Sequence, residues 1–175
     1  WRAQLRQFVT ATCRKCEVST WRRPNRRFLH QDIILPTMTG KSIKALAVCV
    51  DASGSMLGGN PSPLVRVMSE VEGLVRQIKI DTMHLIYWDG HVCRHEQYTG
   101  ANINTWGKTT VPSGGGGTDP ACITPYLKTN KVKVDAAIVL TDGEVPGWGK
   151  WDVPVLWSIC NTKEVTAGNG KTIHI

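Results

Sequence analysis

The sequence predicts an α/β fold: a doubly wound, mostly parallel sheet with helices on both faces and one antiparallel edge strand. Three observations carry this. Largely apolar stretches at 45–50, 83–88, 134–141 and 153–160 have the length and composition of buried strands. Segments of helical period lie between them, and that alternation is the pattern of a parallel sheet wound on both sides. Finally, Asp89-Gly90 is a turn dipeptide that sends the chain back through His91–Tyr98 as a hairpin partner at the sheet edge.

In order along the chain, residues 1–17 read as a short amphipathic helix, with Trp1, Leu5, Phe8 and Val9 on one side. Pro24 disfavours helix at the residue before it, so Trp21–Phe28 is an extended or turning segment. The first strand of the main domain spans Lys44–Asp51. After the loop Gly58-Gly59-Asn60-Pro61, Ser62 is a good N-cap with Pro63 at the first helical position. Leu64, Val67, Met68, Val71, Leu74, Val75 and Ile78 then recur at three and four, giving an amphipathic helix of about five turns. Met83–Trp88 is the next strand, followed by the hairpin partner. Asn102–Gly117 reads as loop, and Asp119-Pro120 opens a short helix to about Lys128. Val134–Thr141 and Val153–Cys160 are the fourth and fifth strands, and Thr172–Ile175 is a terminal one. Gly143–Asp152 is too short and too rich in Gly and Pro for a helix. The expected division is a basic helix and extended segment at 1–40, packed on a domain at 41–175.

Composition bounds the function. The 175 residues suffice for one domain with a real core, and 41% hydrophobic with 20% charged residues is a soluble, globular balance. No apolar run approaches the ~18 residues of a membrane span, so no membrane partner is expected. The opening at Trp1 is read as a piece of a longer protein. The net charge is +7, and Arg2, Arg6, Arg14, Lys15, Arg22, Arg23, Arg26 and Arg27 face only Glu17 before residue 30. Such a patch attracts phosphate or an acidic protein, with Arg22, Arg23, Arg26 and Arg27 the candidate anion contacts, but no nucleic-acid-binding motif accompanies it. Cys49 and Cys160 lie in apolar runs as small hydrophobes. Cys13-x-x-Cys16 has zinc-ligand spacing without a second pair; Cys93 with His91 or His95 would have to supply the rest. Reduced thiols and a cytoplasmic location are the expectation.

The chemistry concentrates in three separated pieces. Asp51-Ala52-Ser53-Gly54-Ser55 follows the apolar run Ala45–Val50. Gly114-Gly115-Gly116-Gly117-Thr118-Asp119 places a hydroxyl and a carboxylate after a flexible loop, and Ile138–Leu140 ends in Thr141-Asp142-Gly143. All are hard oxygen ligands, suited to Mg²⁺, Mn²⁺ or Ca²⁺ rather than zinc or copper. Ligands in such sheets bind at the carboxyl ends of strands where the strand order reverses. Asp51 and Asp142 close two of the predicted strands.

The order Asp-x-Ser-x-Ser, then Thr after a Gly loop, then Thr-Asp-Gly, resembles the metal-ion-dependent adhesion site of von Willebrand factor A (VWA) domains, whose sheet is Rossmann-like. The resemblance runs from about Lys44 to Ile159 and implies that the first and fourth strands are adjacent. It also implies a ligand set: Ser53, Ser55 and Thr118 on the metal directly, Asp51 and Asp142 through water. An open coordination position would take a carboxylate from a protein partner, which is binding rather than catalysis. Many VWA domains have a helix where this chain has 143–152. That trimmed half, with Trp21–Phe28, resembles the VWA-like domain that follows a metallopeptidase-type region in some bacterial and phage proteins. The partners implied are MoxR-type ring ATPases or their clients.

Around the site, Gly116, Gly117, Asp119, Glu144, Trp148 and Trp151 would form a partner-binding rim. Asp119 also reads as a helix cap, Glu144 as a loop charge, and Asp89 as the closure of a turn. Trp148 and Trp151 are either binding anchors or a cover for the core where the helix is missing. Enzymatic motifs fail: His95-Glu96 has Thr99 where a second His is needed, and Gly107-Lys108-Thr109 and Gly170-Lys171-Thr172 lack the leading Gly of a phosphate loop. An aspartyl phosphatase would need Asp at position 53, and no Gly-x-Ser-x-Gly elbow is present. The expectation is a divalent-metal-dependent interaction domain without catalytic residues. The alternatives are an accessory domain of a metallopeptidase, with the peptidase part upstream, and a basic nucleic-acid-binding module.

Overall fold

A computed structural model of the chain describes residues 18–24, 32–39, 43–57, 80–104, 113–160 and 162–175, together with 3, 4, 7, 8, 11, 27, 30, 68, 71–73 and 75. The strands are β1 (Val18–Pro24), β2 (Pro36–Thr39), β3 (Ile43–Asp51), β4 (Ile80–Trp88), β5 (Val92–Thr99), β6 (Ala136–Thr141), β7 (Val155–Ile159) and β8 (Lys171–His174). A single helical turn, Gly54–Leu57, follows β3, and Ile123–Thr129 is a helix of two turns. Positions 3, 4, 7, 8 and 11 are helical, as are 68, 71–73 and 75; the rest of the expected helix over 62–78 lies outside the described residues.

Among the described residues the main sheet has six strands in the order β5-β4-β3-β6-β7-β8. All neighbours are parallel except β4 and β5, whose antiparallel pairing makes β5 the edge strand anticipated from Asp89-Gly90. The predicted fold class is therefore the observed one. β1 and β2 form a separate antiparallel pair. The strand Pro36–Thr39 was not anticipated, because a four-residue Pro-Thr-Met-Thr segment carries no periodic signal of its own; pairing with β1 defines it.

Strand alternation assigns the core to two layers. Leu46, Val48 and Val50 of β3 join Met83, Leu85 and Tyr87 of β4 on one face, where Val71, Val75 and Phe8 cover them. Ala47 and Cys49 join Ile86, Trp88, Val139 and Trp157 on the other, where Ile123 and Leu127 of the second helix pack. Strands β6 and β7 are buried at every position, as expected of parallel strands covered on both sides. Cys49 and Cys160 are buried and belong to no disulfide, in keeping with the reading of both as small core hydrophobes.

Strand β6 begins two residues later than the apolar run suggested. The reason is Asp135, whose Oδ2 accepts from the N–H groups of Lys44 at 2.8 Å and Ala45 at 3.1 Å. That carboxylate ties the start of β3 to the start of β6. Pairing then runs from Leu46 with Ala136 to Val50 with Leu140. Strand order reverses here, since β3 leads to β4 on one side and borders β6 on the other. Asp51 and Asp142 lie at that reversal, at the carboxyl ends of both strands.

Candidate metal centre

Asp51 ends β3 with its side chain wholly buried. Its Oδ1 accepts from the Ser53 N–H at 2.9 Å, closing the turn that carries both serines. Its Oδ2 accepts from the Thr141 hydroxyl at 2.7 Å. Thr141 in turn accepts from the Gly143 N–H at 3.2 Å, so one threonine fixes the tips of both strands. Ser53 and Ser55 lie with their hydroxyl oxygens 3.1 Å apart. The Ser55 hydroxyl donates to Asp142 Oδ2, which leaves its oxygen to accept from Ser53. Asp142 Oδ1 accepts from the Glu144 N–H at 3.0 Å. Four of the five residues assigned from the sequence thus form one connected group drawn from positions about 90 apart. Ser53 and Asp142 are buried and Ser55 is exposed, so the group opens to solvent on the serine side.

The electrostatics are those of two neighbouring acids. Burial pushes the Asp51 carboxyl above its usual range. Hydrogen bonds from Thr141 and Ser53 pull it down, and the Asp142 charge pushes it up again. None of the ion pairs among the described residues involves Asp51 or Asp142. Two neighbouring acids at a strand-order reversal, with two hydroxyls between them, offer only oxygen donors. That set suits a hard dication.

Thr118 sits on a loop that is held beside the same turn. Its loop is pinned at Asp89, which accepts from the Gly116 N–H at Oδ2 (3.1 Å) and from the Asp119 N–H at its carbonyl (2.9 Å). The same loop passes against Ala52: a Cβ on Gly114 would lie 2.5 Å from the Ala52 Cβ and 2.7 Å from its carbonyl oxygen. Gly114 therefore lets the loop lie on the turn that holds Ser53. Burial pushes the Asp89 carboxyl up, but bonds from the His91 N–H, Cys93 and Gly116, with His91 alongside, outweigh that and hold it below the usual range. Asp89 was read as a turn closure, and its bond from the His91 N–H at 3.0 Å is that closure. Its second task, tying down the Gly loop, was not legible. Nor was the Thr141–Asp51 bond; the nearest signal was the Thr-Asp-Gly string itself.

Of the rim residues, Asp119 caps the turn Pro120–Cys122 by accepting from the Ala121 N–H at 2.9 Å, the role its sequence position suggested. Gly116 and Gly117 lie on the pinned loop, and Glu144 follows Asp142. Trp148 and Trp151 pack edge-on against buried Trp157, with ring centroids 4.8 and 5.9 Å away, and the Trp151 indole N–H donates to the Trp148 carbonyl at 2.9 Å. They cover the core where 143–152 has no helix. In the basic N-terminal part Arg22 and Arg27 are exposed; Arg26 and the side chain of Arg23 lie outside the described residues, as do Cys13 and Cys16. His95 is engaged with His84 at 3.0 Å and Tyr126 at 3.2 Å, away from the ligand role considered for it beside Cys93.

The family model of the VWA-like domain (DUF2201) matches residues 46–175. The chain belongs to this VWA-like family. No curated protein matches its sequence. Among solved structures the VWA-like chain is similar to BatB from Bacteroides thetaiotaomicron, at TM-score 0.52 and 20% identity over 67% of this chain and 66% of that one. It is also similar to the ArnB paralog VWA2 from Sulfolobus acidocaldarius, at TM-score 0.52 and 16% identity over 73% of this chain and 38% of that one. Proximal thread matrix protein 1 of the mussel byssus aligns at TM-score 0.51 and 17% identity, over 68% of this chain and 36% of its own. The VWA-like chain thus spans about two thirds or less of these structures, and the likeness is one of fold. No helix among the described residues is long and apolar enough to cross a membrane.

Proposed function

We propose that this VWA-like chain is a divalent-metal-dependent protein-binding module. The observation that carries the reading is the buried acid Asp51 beside Asp142, joined through Ser53, Ser55 and Thr141 into an all-oxygen group at the strand-order reversal. A buried carboxylate that feels a second carboxylate is costly to fold, and a small dication relieves it. Ser53, Ser55 and Thr118 would hold Mg²⁺, or Mn²⁺ or Ca²⁺, with Asp51 and Asp142 acting through water. With so few charged ligands in contact, the bound ion would supply an electrophilic position for a partner's Asp or Glu. Thr118 joins the set because its loop is tethered at Asp89 and laid against Ala52. MoxR-type ATPases and their clients are the partner class that the VWA resemblance suggests.

Titration of the chelator-treated chain with Mn²⁺, followed by electron paramagnetic resonance, tests the reading directly. Binding is expected with wild type and at least tenfold weaker with Asp51→Ala or Ser55→Ala. Absence of binding at millimolar Mn²⁺, or equal binding by all three proteins, overturns it.

A further inference from the structure

A second cluster lies at the turn joining β4 to β5. Asp89, His91 and Cys93 occupy alternate positions running out of that turn into β5, the spacing that puts side chains on one face of a strand. Their ligand atoms all lie within 4.8 Å of one another. His91 Nδ1 is 3.0 Å from Asp89 Oδ1, and Cys93 Sγ is 3.6 Å from the His91 carbonyl. Asp89 is buried and held in place by the backbone N–H groups of His91 and Gly116. The His91 side chain faces solvent and Cys93 is half-buried, so the cluster is open to an entering ion.

We propose that an oxygen of Asp89, Nδ1 of His91 and Sγ of Cys93 form a binding site for a zinc-type dication, separate from the all-oxygen group beside it. The donor set decides the class of ion. A thiolate and an imidazole select zinc over magnesium or calcium, and one carboxylate is compatible with a tetrahedral zinc shell. Zinc bonds of about 2.0–2.3 Å put tetrahedral ligand atoms about 3.3–3.8 Å apart, so atoms lying within 4.8 Å of one another need to close by about 1.5 Å or less, a movement the exposed His91 can make. Binding displaces the proton of Cys93, and any proton on His91 Nδ1, to solvent; no redox change is involved.

Water is left to take the fourth position. Because Asp89 also accepts from Gly116 and Asp119, an ion here fixes the far end of the loop that carries Thr118.

The test is Co²⁺ titration of the metal-stripped chain, read by absorption. Wild type is expected to develop a thiolate-to-cobalt charge-transfer band that saturates at a single equivalent. Cys93→Ser abolishes the band, and His91→Ala weakens binding at least tenfold while far-UV circular dichroism stays unchanged. No charge-transfer band in wild type overturns the proposal. So does a band that survives in Cys93→Ser, including one that disappears only when Cys13 or Cys16 is replaced.

Discussion

Asp51→Asn should stabilise the metal-free chain at neutral pH while weakening its proposed affinity for metal at least tenfold. Asp51 is wholly buried, and burial, with Asp142 nearby, holds its carboxyl above the usual value of 3.8. The folded protein therefore binds this proton more tightly than the unfolded chain does. The contribution of Asp51 favours folding fully below the unfolded value and is lost as pH rises through the raised one. Asparagine keeps an oxygen for the Ser53 N–H, now 2.9 Å away, and its amide can donate to the Thr141 oxygen at 2.7 Å. Both bonds survive and only the charge goes. Exchanging a buried charge that has no ion-pair partner among the described residues for a neutral isostere is worth about 1–3 kcal/mol. With a urea dependence of about 2 kcal/mol/M, the unfolding midpoint in EDTA should rise by about 0.5–1.5 M. The gain should vanish as pH falls below about 3.5, where the unfolded carboxylate is itself mostly protonated. Adding Mg²⁺ to about a hundred times the wild-type Kd should stabilise wild type by about 2.7 kcal/mol and Asp51→Asn by about 1.4 kcal/mol or less. The reasoning is refuted if Asp51→Asn in EDTA is less stable than wild type at both pH values.

Three further outcomes are expected. Gly114→Ala places a Cβ 2.5 Å from the Ala52 Cβ and should cost about 1–3 kcal/mol, with weaker Mn²⁺ binding, whereas Gly117→Ala meets nothing within 4 Å and should be neutral in melting temperature. Burial holds the His84 and His95 imidazoles below their usual values, and each stays neutral against the other. Their contribution to stability is present above about pH 6.5 and lost as pH falls below it, so His84→Gln should flatten the decline in urea midpoint between about pH 7 and pH 5. Trp148→Ala should cost about 2–4 kcal/mol and reduce the near-ultraviolet circular dichroism of the Trp148–Trp157 pair; unchanged stability would return Trp148 to a purely surface role.

Much of the fold was legible because its signals are local. Apolar runs, Asp119 before Pro120 and the Asp89-Gly90 turn each act over a few residues, and the main-sheet strands form close to where those signals put them. The ends of β3 and β6 were legible as clusters of oxygen side chains for the same reason: hydroxyls and carboxylates stand out where an apolar run stops. Other features depend on which strands become neighbours. Thr141 looked like the last residue of a strand until pairing with β3 set it against Asp51, ninety positions away. The short Pro36–Thr39 strand exists through its partner, β1.

What the sequence by itself determined is the set of oxygen donors and the strand tips that carry them, since residue type and hydrophobic period suffice for both. What only the tertiary structure decided is which donors touch. Ser55 reaches Asp142 across 87 positions, Gly114 admits a loop against Ala52, Trp148 and Trp151 fold inward onto Trp157, and Asp89, His91 and Cys93 converge at the sheet edge. Such contacts arise from strand order, register and close packing, which act over distances in the chain that no local pattern encodes.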